Sequence, residues 1–73
     1  MEDYQIRLLN EARMESKKLN DLNVFMSRER FLNLSREKKD LMYKQVIVMT
    51  RFVQILGKRL ELEGIEFTHE KER

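Results

Sequence analysis

Between residues 35 and 64 apolar side chains recur at three- and four-residue intervals, with no proline and a single internal glycine, Gly57. That spacing predicts one long helix. At about 100° per residue, Leu41, Met42, Val46, Val48, Met49, Phe52, Val53, Ile55, Leu56, Leu60 and Leu62 cover an arc of roughly 200°. A surface helix with one neighbour needs an apolar stripe of only about 100°. The surplus face must be covered, and a chain of 73 residues has little else to cover it. The pattern therefore predicts an obligate oligomer whose function lies in its subunit interfaces. Val53, on the flank of the arc, is a position where a charge should break such an assembly.

The first half predicts a helix over Asp3–Met26, with Glu2 and Asp3 suited to its N-terminal dipole. Leu8, Leu9, Ala12, Leu19, Leu22, Phe25 and Met26 mark its apolar face. That face thins over the polar stretch 13–18, where a kink or break is open. Ser27 has the chemistry to cap a short helix over about 28–33, and Phe31 and Leu34 would pin that helix to the hairpin end. Ser35 caps the long helix, with Glu37 in its first turn, and Gly64 ends it because glycine tolerates the left-handed conformation there. Ile65 and Phe67 can fold back on the last turn.

The predicted fold is thus all-α, an antiparallel helical hairpin with a short middle helix. It forms a single domain over residues 1–67, followed by a frayed polar tail over 68–73. A helix over 36–63 would be about 42 Å long, whereas a compact globule of this size is about 30 Å across, so the protomer should be elongated. Leu9 should lie opposite Leu56, and Leu22 opposite Leu41 and Val46.

Composition narrows the options. A small chain is marginal alone and needs disulfides, a metal or partners. There is no cysteine, and the single histidine, His69, falls in the tail, so oligomerisation remains. Fifteen basic residues oppose thirteen acidic ones for a net charge of +2, with the signs interspersed. Duplex nucleic acid is not an expected partner, because Arg28, Arg30, Arg36, Lys38 and Lys39 near the turn are mixed with Glu29, Glu37 and Asp40. No apolar run reaches the roughly 18 residues of a membrane span. The acidic N-terminus lacks the basic and apolar regions of a signal peptide, so a cytosolic product is expected.

Enzymatic machinery is not evident. There is no glycine-rich phosphate loop and no Ser/His or Cys/His pair. Glu11 and Glu15 sit at helical spacing, as solvated glutamates do. The expectation is a protein that is not an enzyme and takes no cofactor. Arg59 is the notable charge, since it falls inside the apolar arc beside Phe52 and Leu56. A guanidinium there pairs with an acid such as Glu11, or waits for an anion at an interface. Gln45, on the same face, reads as a buried polar group satisfied across an interface. Lys17, Lys18 and Asn20 flank the point where the first helix's apolar stripe resumes. Tyr4 lies near the chain start, and Tyr43 on the outer side of the long helix. Each is ordinary surface decoration alone. Brought together, tyrosine and lysine could stack a base and neutralise a phosphate.

The ordered set Phe25–Met26, Phe31, Leu34, Leu41, Gln45, Met49, Phe52, Leu56 and Arg59 resembles a family of small tailed-phage proteins, the anti-CBASS sponges. Their hairpin domain is shared with an anti-Thoeris sponge. Members read roughly Leu-x-x-Lys-x-x-x-Leu-x-x-Phe, then Leu-x-x-x-Gln-x-x-x-Met-x-x-Tyr-x-x-x-Leu-x-x-Arg. The likeness spans about residues 6–60. Phe52 stands where tyrosine is commoner, and members usually place more chain before the N-terminal tyrosine.

The resemblance implies a hexamer, a trimer of interlocked dimers, that binds cyclic oligonucleotide messengers without cleaving them in the cytoplasm of an infected bacterial host. Cyclic dinucleotides would sit between protomers, with Tyr4 stacking on a base and Lys18, or Lys17 before it, meeting a phosphate. Cyclic trinucleotides would sit on threefold axes, met by Arg59 and Asn20. The reading free of the resemblance stays open: a small oligomeric hairpin with a structural or regulatory protein-binding role.

Overall fold

A computed structural model of the chain describes residues 1–67. The tail expected at 68–73, with His69, lies outside the described residues. Three helices follow in order: α1 over Asp3–Met26, α2 over Glu29–Leu32 and α3 over Arg36–Leu62. The two long helices pack on each other as an antiparallel hairpin 46 × 23 × 15 Å in extent. The polar stretch 13–18 does not break α1, which is continuous. Ser16 and the charged residues beside it are good enough helix formers to carry the chain across two turns without an apolar anchor.

The caps follow from local chemistry. The Gln5 side-chain carbonyl accepts the Glu2 backbone N–H at 2.8 Å, tying off the first turn of α1. The Ser35 hydroxyl accepts the Lys38 N–H at 3.2 Å at the start of α3. Ser27 does not cap α2, as its sequence position suggests. Its hydroxyl donates to the Val24 carbonyl at 2.7 Å, so it closes α1, and Arg28 precedes α2 without a side-chain cap. An α2 of only four residues leaves little to cap.

At the far end α3 closes with paired bonds, Ile65 N–H to the Leu60 carbonyl at 2.9 Å and Gly64 N–H to the Glu61 carbonyl at 2.9 Å. Gly64 takes a φ of 76° to make this possible. Ile65 and Phe67 then fold onto the core formed by Leu8, Ala12, Leu56 and Leu60, with Leu9 alongside. The expected pairing of Leu9 with the Leu56 region is therefore present.

The turn end differs from expectation. Leu41 does not pack under Leu22; it is exposed. Phe31 from α2 fills that end instead, fully buried. Its ring meets Phe25 edge-on at 6.3 Å and Tyr43 edge-on at 5.6 Å, with the Lys39 ammonium 5.9 Å from its centre. Tyr43 is thus on the rim of the aromatic cluster rather than wholly outside. Val53, on the flank of the apolar arc, is buried at 1% exposure inside the hairpin, so a charge there would be buried without a partner. The side of α3 that meets α1 is centred on Val53, Leu56 and Leu60.

Candidate functional site

Subtracting that buried face leaves an apolar seam on the outside of α3. Leu41, Val48, Phe52, Ile55 and Leu62 are exposed, from 37% for Phe52 to 88% for Leu62. With Gln45 and Arg59 they fall at 41, 45, 48, 52, 55, 59 and 62, in alternating steps of four and three. That 3.5-residue period is the pattern with which one helix packs along another. Gln45 and Arg59 are the two polar members of the seam, and both are exposed. Arg59 lies only about 20° from Phe52 round the helix, which turns it away from α1. It does not pair with Glu11, which is also exposed; the ion pairs among the described residues are Lys17–Asp21, Lys18–Glu15 and Lys58–Glu61.

The open end of the hairpin carries the densest polar contact. One carboxylate oxygen of Glu63, the residue that follows α3, accepts the Tyr4 hydroxyl at 2.6 Å and the Gln5 amide N–H at 2.9 Å. The bond to Glu63 holds the Tyr4 phenol above its usual pKa, helped by partial desolvation and by the Glu63 charge. The bonds from Tyr4 and then Gln5 hold the Glu63 carboxyl below its usual range; desolvation opposes this, and the Arg59 charge one turn earlier adds to it. Tyr4 remains half exposed while its hydroxyl is tied down.

The lysines are elsewhere. Lys17 meets the exposed Asp21 at 3.2 Å, and Lys18, itself exposed, meets the half-buried Glu15 at 3.6 Å. Exposed pairs of this kind hold lysines weakly, so either can turn to an anion. Tyr4 and Lys18 are fourteen residues apart on one continuous helix, about 21 Å. Asn20 is likewise about 18 Å along α1 from Leu8, which packs at the Arg59 end. Within one protomer neither expected pair comes together. What does come together is Tyr4, Gln5, Glu63 and, through its charge, Arg59.

Gln5 and Glu63 were not singled out from sequence. The Leu9–Leu56 register, carried a turn and a half outward, places residues 4 and 5 beside the end of the long helix and so contained the signal. The turn end has a shallow depression lined by Asp21, Val24, Phe25, Arg28 and Arg30. Its mixed charges suit a solvated surface. Among the described residues no acidic or histidine cluster could hold a metal, and no helix is long and apolar enough to cross a membrane.

The family model described as Sequestin matches residues 2–62. The chain belongs to the Sequestin family. The matched span includes Tyr4, Lys17, Lys18, Asn20 and Arg59, and every residue of the α3 seam. Glu63 lies just beyond it. The name of the Sequestin family denotes sequestration, in agreement with the sponge resemblance. No curated protein and no solved structure matches the chain.

Proposed function

We propose that the chain is a phage-encoded sponge. It binds cyclic di- and trinucleotide second messengers, holds them without cleavage, and so blocks CBASS-type antiviral signalling in the cytoplasm of the infected host. Sequestin membership over residues 2–62 is the observation that carries this reading. Two features of the hairpin support it. The α3 seam is apolar, regular and uncovered, which suits packing against further copies into the hexamer the resemblance implies. Tyr4 and Lys18 are too far apart on one helix to serve the base and phosphate of one nucleotide, which suits a pocket shared between protomers. A cyclic trinucleotide matches a threefold axis, where three copies of Arg59 can face three phosphates.

The chain binds rather than transforms, in this reading: the tyrosine, lysines and arginine offer stacking and charge but no nucleophile poised beside a base. The deciding experiment is titration calorimetry with cyclic di-adenylate, cyclic di-guanylate, mixed cyclic GMP–AMP and cyclic tri-adenylate, followed by denaturation and chromatography of the bound material. Saturable binding with intact ligand recovered is expected. Linear products growing with time and protein would replace the sponge by an enzyme. No binding to any probe would leave the seam to a protein-binding role.

A further inference from the structure

We propose that Glu63 is the positioning residue for the Tyr4 ring: it pins the phenol so that an open aromatic face is presented ready for a base. This rests on the sponge reading for the identity of the ligand and on the geometry of this chain for the device itself. The Tyr4 hydroxyl meets Glu63 at 2.6 Å across 59 residues of sequence, within the range of a charge-assisted bond. A bond at the far tip of the ring restrains the torsions that a half-exposed tyrosine on a first helical turn would otherwise sample.

The acceptor is itself held. Its oxygen takes a second bond from Gln5 at 2.9 Å, and the Gln5 carbonyl holds the Glu2 N–H at 2.8 Å. On the other side Glu63 is fixed by the closing turn of α3, where Gly64 and Ile65 bond back to Glu61 and Leu60 and Ile65 packs on the core. A surface carboxylate with this much scaffolding is more than a decoration of the helix end. The arrangement also sets a balance. A carboxylate near a site for anionic ligands repels them, and the Arg59 guanidinium one turn away offsets part of that charge. The acceptor atom should therefore matter to binding, and the negative charge should not.

The test uses Glu63→Ala, Glu63→Gln, Tyr4→Phe and the double variant Tyr4→Phe/Glu63→Ala in the full chain, titrated with cyclic di-adenylate, cyclic di-guanylate and mixed cyclic GMP–AMP. Glu63→Ala should weaken whichever probe the wild type binds by about two- to tenfold, the size of an ordering cost for one side chain. Tyr4→Phe, which keeps the ring and loses the pin, should lose a similar amount, and the double variant no more than either alone. Glu63→Gln, which keeps an acceptor without the charge, should bind as tightly as wild type or tighter. Cyclic tri-adenylate affinity should be unmoved in Tyr4→Phe, which leaves the Glu63 and Arg59 charges in place.

A purely structural role would shift melting and both ligand classes together. Ultraviolet titration gives a second readout: the tyrosine whose signal Tyr4→Phe removes should titrate higher in wild type than in Glu63→Ala. Unchanged dinucleotide affinity in Glu63→Ala, beside measurable wild-type binding, would overturn the positioning role and leave the sponge reading standing. Absence of dinucleotide binding by the wild type would overturn both.

Discussion

Tyr4 and Arg59 sit at the same end of the hairpin yet answer to different demands. Tyr4 offers a ring face, and its replacement by alanine should weaken cyclic dinucleotide binding by roughly five- to a hundredfold, the value of one base–aromatic stack. Arg59 offers charge on the outer seam. Arg59→Ala should weaken cyclic tri-adenylate and spare dinucleotides, because three symmetry copies converge only on a threefold axis. Calorimetry on both variants checks the split; equal losses for both ligand classes would merge the two sites into one. The Tyr4–Glu63 bond adds a pH signature whose sign follows from the two shifts. Glu63 is depressed on folding, so its contribution is present above its ordinary value of 4.5 and fades as the pH falls toward and through the folded value. Tyr4 is raised, so its contribution is present below its ordinary value of 10.0 and fades as the pH climbs through the higher folded one. The melting-temperature difference between wild type and Glu63→Ala should therefore be widest between those two values and close at both extremes. A difference independent of pH would assign the effect of the substitution to lost packing.

The helices themselves were legible because their signals are local. Periodicity placed α1 and α3, and Ser35 and Gly64 marked the ends of α3 through a hydroxyl and a left-handed φ that need only their neighbours. Ser27 misled because a serine between two helices can serve either one, and the choice fell to the Val24 carbonyl. Leu41 was misplaced for a different reason. An arc of roughly 200° says that two faces are apolar but not where the division between them falls. That division was fixed by α1 docking on Val53, Leu56 and Leu60 and by Phe31 occupying the turn end. The two glycines of the long helix and its cap make a paired test. An added Cβ meets nothing within 4 Å at either Gly57 or Gly64, so backbone conformation alone decides the outcome in the hairpin. Gly57→Ala should stabilise by about 0.5–1 kcal/mol, since glycine is a poor mid-helix residue. Gly64→Ala should destabilise by roughly 1–2 kcal/mol, because its φ of 76° is left-handed. Thermal melts of the two variants should move in opposite directions. A loss of stability in Gly57→Ala would mean that another chain packs close at that position.

At the scale of the whole molecule, the two faces of α3 should be separable by mutation. Leu56 is fully buried between the helices, and Leu56→Ala should cost about 2–5 kcal/mol of stability through the cavity it leaves. Phe52 lies on the outer seam, so Phe52→Glu should instead lower the mass seen by light scattering toward the 9.0 kDa of one chain. An unchanged mass would move the interface off this seam. The candidate site was less legible than the fold, because sequence names residue types while distance along a helix decides which can meet. Tyr4 and Lys18 were paired on the family resemblance, and the uninterrupted α1 puts about 21 Å between them. If they share a pocket, they do so from different chains, and that can be tested without a structure of the assembly. Tyr4→Ala and Lys18→Ala protomers should each bind cyclic dinucleotide poorly when pure. Unfolded together in equal amounts and refolded, they should regain about a quarter of the wild-type sites at near wild-type affinity, since random assembly pairs an intact tyrosine with an intact lysine at that frequency. A pocket built within one protomer would gain nothing from mixing. Calorimetric stoichiometry distinguishes the two outcomes, and a mixture no better than its components would return Tyr4 and Lys18 to separate roles on the surface of one helix.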